Sequence, residues 1–68
     1  MEISYDPEVN ALNIKFQGGD YDKSIEVADG IIVDYSVDEK IMSIEILDAA
    51  EKISAETIES IEKAKSKA

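Results

Sequence analysis

Apolar and polar residues alternate with a period of two over the first two-thirds of the chain, which predicts half-buried strands. Ile3 and Tyr5 share a face in a first short strand. Asp6-Pro7-Glu8-Val9-Asn10 reads as a turn: proline presets φ, and the Asp6 carboxylate is placed to bond the backbone just after it. Leu12, Ile14 and Phe16 then share a face, with Asn13 and Lys15 opposite, so the first two strands are expected to form a hairpin. Gln17-Gly18-Gly19-Asp20 breaks the pattern. Ile25 and Val27 mark a third strand, and Asp29-Gly30 a tight turn that needs positive φ. Residues Ile31–Tyr35 form a fourth strand, Val37–Lys40 a turn and Ile41–Leu47 a fifth strand. In that last strand Met42, Ile44 and Ile46 share one face, while Ile41 and Leu47 put apolar material on the other. It is therefore expected to be central or to help form an interface.

After Asp48 the period becomes helical. Ser54 is a suitable N-cap, and Ile53 and Ile58 are spaced for a hydrophobic staple around it. Acids come early (Glu56, Glu59, Glu62) and lysines late (Lys63, Lys65, Lys67), which complements the helix dipole. The last turn is expected to fray. The expected class is α+β: an antiparallel meander of four to five strands with one C-terminal helix, forming a single domain over 1–68.

Composition changes this picture in one respect. A chain of 68 residues has a thin core. It contains no cysteine or histidine, so neither a disulfide nor a zinc site of Cys or His ligands supplements that core. Self-association is the expected supplement, and a homodimer the expected form.

The net charge is −9, and residues 1–48 carry all of it, with 12 acids against 3 lysines. Such a surface repels nucleic-acid phosphates and attracts basic proteins. No apolar run is long enough to span a bilayer, and no signal peptide is expected, which makes a cytoplasmic location the default.

The chemistry is sparse. Without histidine there is no conventional base for a nucleophilic serine, and the phosphate-binding glycine motifs are absent. No catalytic residue, cofactor or metal is expected. Asp20 and Asp22 have the spacing that begins some calcium loops, without the glycine and distal glutamate that complete one. Asp34 and Glu45 fall on neighbouring strands and could meet as an acid–base pair; acids on the wet face of a sheet are the ordinary alternative. Tyr5, Phe16 and Tyr35 suit a stacking platform or, more ordinarily, a core.

Four segments taken together resemble a known family: Tyr5-Asp6-Pro7-Glu8, Ala11–Phe16, Asp29–Tyr35 and Ile44–Ala49. The run is similar to DUF2283, a small prokaryotic domain of unknown function, over about residues 3–52, with 53–68 as a local extension. The resemblance implies a compact β-rich domain and supplies no catalytic residues. It also carries the weak implication of an antitoxin role, exercised by binding protein, since no basic DNA-binding segment is present. The residues expected to meet a partner are Asp34, Asp38, Glu39, Ile44 and Glu45. Asp48 is expected to cap the backbone of Ala49–Lys52 with its carboxylate.

Overall fold

A computed structural model describes residues 1–66. The strands are β1 (Glu2–Asp6), β2 (Ala11–Lys15), β3 (Tyr21–Ala28), β4 (Ile31–Ser36) and β5 (Ile41–Leu47). A short helix α1 (Ala49–Lys52) and a longer one, α2 (Ala55–Ser66), follow. Lys67, expected in the helix's last turn, lies outside the described residues.

All strand pairs are antiparallel, and the order is β1-β2-β5-β4-β3. The α+β class, the five-stranded antiparallel sheet and the C-terminal helix are as expected. The strand order refines the meander. β1–β2 is one hairpin, β3–β4–β5 is a meander, and the two join through β2–β5 instead of β2–β3. The Gln17–Asp20 segment therefore carries the chain across to the far edge. β5 sits at the centre, one of the two places expected from its two-sided apolar pattern.

The register sorts the side chains into two faces. Ile3, Ile14, Ile44, Val33 and Ile25 stand in one row across all five strands. Tyr5, Leu12, Ile46 and Ile31 form the next row on the same apolar face. The opposite face carries Ser4, Asn13, Glu45, Ile32 and Glu26 in one row, and Glu2, Lys15, Ser43, Asp34 and Ser24 in another.

The helices return over the apolar face but cover it unevenly. α2 packs against β1 at the sheet's edge, and Ile3 and Ile61 line one groove. Leu12 is 2% exposed and Ile58 7%. Burial on that scale contributes about 1.5–3 kcal/mol per large aliphatic side chain. Ile25, at the other end of its row, is 43% exposed. Phe16, one of the expected core aromatics, is 42% exposed just beyond the end of β2, where its N–H bonds the Met42 carbonyl (2.8 Å).

The turns follow their local chemistry. Asp6 Oδ1 accepts the Glu8 N–H (3.0 Å). Gly30 has φ +73°, and register shifts in β3 between Glu26 and Ala28 absorb the remaining geometry of the Asp29-Gly30 turn. Ser54 Oγ accepts the Thr57 N–H (3.2 Å), so it caps α2 as its position predicts.

The cap of α1 differs from expectation. Asp48 is in the left-handed region (φ 52°, ψ 44°) and makes no side-chain cap bond. Asn10 takes that role from the β1–β2 turn. Its main-chain oxygen accepts the Ala49 N–H (2.9 Å), and its Oδ1 accepts the Ala50 N–H (3.0 Å) and the Tyr5 hydroxyl (2.8 Å). Asn10 is itself left-handed (φ 54°), a conformation asparagine tolerates better than most residues.

Candidate protein-interaction site

The five residues expected to meet a partner do not form a single patch. Asp34 and Glu45 lie together on the polar face, Ile44 points to the apolar face, and Asp38 and Glu39 occupy the β4–β5 turn.

Asp34 is held by its neighbours in the sheet. Ser24 Oγ, from β3, donates to its Oδ1 (2.5 Å), and Ser43 Oγ, from β5, donates to its Oδ2 (2.6 Å). Tyr21 and Ser24 share a further hydroxyl bond (2.6 Å). The two serine hydroxyls hold the Asp34 carboxyl below the usual carboxylate range. Glu45 moves the other way. Burial pushes its pKa up first, and the charge of Asp34 beside it adds to the rise. Glu45 is thus the member of the pair that keeps a proton longer.

Both Asp34 oxygens are therefore engaged by hydroxyl donors on an open sheet face. The cluster presents a fixed acidic surface: three strands locked side by side, with Glu26 in the adjacent row. Glu26 is also committed, accepting the Gly30 N–H through Oε2 (2.9 Å).

The β4–β5 turn is a separate unit. Ser36, 3% exposed, donates its hydroxyl to Asp38 and accepts the Lys40 N–H (3.2 Å). The Ser36 hydroxyl lowers the pKa of the Asp38 carboxyl. Glu39 has φ 65° and closes the turn through its N–H to the Ser36 carbonyl (2.9 Å). Asp20 lies against this turn, its carbonyl accepting the Val37 N–H (2.9 Å). The loop of Asp20 and the turn of Asp38 and Glu39 thus meet at one end of the sheet, where Asp22 lies in the first residues of β3 instead of in a loop. Among the described residues, no three carboxylates are arranged to hold a metal ion.

Ile44 sits mid-row on the apolar face, between Ile14 and Val33, and is half-buried. Sequence reasoning missed Asn10, Ser24, Ser43 and Ser36. The serines had a signal of a kind, since polar residues on a strand opposite an acid are candidates to bond it. Asn10 had none for its capping role, because Ala50, whose N–H it accepts, lies 40 residues away.

The family model described as a protein of unknown function (DUF2283) matches residues 2–49, most of the chain. The chain belongs to that family. No curated protein and no solved structure matches it. No helix among the described residues is long and apolar enough to cross a membrane.

Proposed function

Starting from membership of a family whose description assigns no activity, we propose that the chain is a non-catalytic protein-interaction module that pairs with a second copy of itself. The observation that carries this reading is the half-covered apolar face. α2 packs along β1, yet both ends of the row stay open, with Ile3 39% and Ile25 43% exposed, and Ile44 between them is half-buried.

The overall dimensions agree. The chain exposes 4839 Å². A compact monomer of its mass would expose about 4200 Å². The surplus, roughly 600 Å², approaches the ~800 Å² that each partner contributes to a stable pair. The radius of gyration is 12.6 Å, against about 11 Å for a compact chain of this length. A second copy seated on the β3–β4–β5 side would bury Ile25 and the exposed parts of Met42 and Ile44, extending the core around the already buried Val33.

Light scattering over a concentration series at low and high salt tests this. A dimer that persists at high salt is expected, because apolar burial is not screened. Ile44→Glu should give a monomer of lowered stability. Ile25→Lys, at an already exposed position, should give a monomer that keeps its fold. A wild-type chain that is monomeric at every concentration, or an Ile25→Lys variant that dimerises as tightly as wild type, would overturn the proposal.

A further inference from the structure

A second surface remains, at the β1 edge of the sheet, opposite the β3 edge that borders the proposed pairing surface. β1 ends the strand order, so the peptide groups on its outer side have no strand partner. Beside it runs a groove of about 690 Å³ between β1 and α2, lined by Met1, Ile3, Ser4, Thr57, Ile61 and Ala64. An open strand edge beside a helix is the arrangement in which an extended peptide adds as one more strand. Main-chain bonds then supply affinity, and alternate side chains enter the groove.

The two edges of the sheet differ. β3 carries register shifts near both ends, between Tyr21 and Lys23 and between Glu26 and Ala28. Bulges of this kind, with a lysine, blunt an edge against pairing. β1 pairs with β2 in unbroken register from Glu2 to Asp6. It is regular and open.

The charges on β1 choose the occupant. Glu2, Ser4 and Asp6 alternate on the polar face, with Ile3 and Tyr5 on the apolar one. A second β1 added antiparallel about Ser4 would set Glu2 of one copy opposite Asp6 of the other, twice, and like charges directly opposite are unfavourable. Lys15 stands across from Glu2 and balances part of its charge; Asp6 faces Ala11 and has no such counterweight.

We infer that the β1–α2 groove binds an extended segment of another protein with basic residues at two positions four apart and apolar residues between them. Opposite Glu2 and Asp6 stand the basic residues. Opposite Ile3 stands an apolar residue that enters the groove beneath α2, with a small polar residue opposite Ser4. This surface is independent of the self-pairing face, so either can fail without the other.

The test uses the whole chain and two capped peptides, Gly-Lys-Val-Thr-Val-Lys-Gly and Gly-Glu-Val-Thr-Val-Glu-Gly, followed by amide chemical shifts. The lysine peptide should shift β1 and the facing turns of α2, protect β1 amides from exchange, and bind more weakly as salt rises. The glutamate peptide should bind at least several-fold more weakly. The variant Glu2→Gln/Asp6→Asn removes both charges while keeping an acceptor for the Glu8 N–H. It should weaken the lysine peptide by about three- to tenfold. The inference is overturned by any of three results: no shifts at millimolar lysine peptide, shifts mapping to β3 or the Asp34–Glu45 face, or equal binding of the two peptides.

Discussion

Replacing Asn10 tests whether a single side chain fastens the N-terminal hairpin to the helical segment. Asn10→Ala removes an acceptor that holds the Tyr5 hydroxyl at 2.8 Å and the Ala50 N–H at 3.0 Å. Each bond contributes about 0.5–1.5 kcal/mol net. The Ala50 bond is exposed, so water replaces part of it; the Tyr5 bond is partly buried and lies at the upper end. Alanine must also hold φ near +54°, which adds roughly 1 kcal/mol relative to a residue that tolerates this region. The expected loss is about 2–3 kcal/mol, against a total stability on the order of 3–10 kcal/mol for a domain of this size. Asn10→Gly loses the same acceptor without the left-handed strain, so it should be the milder variant. Urea unfolding followed by circular dichroism, at one fixed protein concentration because self-pairing shifts the midpoint, measures both. An Asn10→Ala variant within about 0.5 kcal/mol of wild type would refute the clasp. An Asn10→Gly variant less stable than Asn10→Ala would refute the assignment of strain.

Other consequences follow from the polar face and the turns. Glu45 binds its proton more tightly folded than unfolded, so its contribution to stability rises as pH falls from neutral through its raised pKa toward the ordinary 4.5. Asp34 and Asp38 act oppositely: their contributions are complete above 3.8 and are lost as pH falls below it through their lowered folded values. The urea midpoint should therefore pass through a maximum on the acid side of neutral. Glu45→Gln should stabilise the chain at pH 7 by less than about 1 kcal/mol and flatten the rise; an unchanged pH profile in that variant would contradict the assignment. Gly30→Ala should cost about 1–2 kcal/mol, because φ is +73° and a new Cβ would displace the Lys52 ammonium, 2.9 Å away, from its bond to the Leu47 carbonyl. Thermal melting of that variant with no change in midpoint would remove the strain argument.

The strands were legible because alternation is a local signal, and each predicted strand is present, although β3 starts at Tyr21, ahead of the Ser24–Val27 alternation that marked it. The central place of β5 agrees with the expectation drawn from Ile41 and Leu47, although both side chains stay exposed at the ends of the strand. The neighbour of β2 was not legible. Ile14 pairs with Ile44, and nothing in the residues around either one encodes the other. The same reason hid the α1 cap. Asp48 looked like a capping acid by position, but its left-handed backbone takes the carboxylate out of that role, and the acceptor comes from a distant turn. In the candidate site, the adjacency of Asp34 and Glu45 could be read from neighbouring strands. Their opposite proton affinities could not, since hydroxyls from two other strands converge on Asp34 alone while burial raises Glu45.

The pairing of β2 with β5 also sets an order of events during synthesis. β2 leaves the ribosome with one partner, β1, while its other edge waits for a strand that begins at Ile41. At about 5–20 residues per second, the nascent hairpin spends on the order of a few seconds with Leu12 and Ile14 uncovered. Glu2, Asp6, Glu8 and Lys15 all belong to this hairpin or its turn. Their charge keeps an unfinished apolar surface dispersed until the meander arrives to close it.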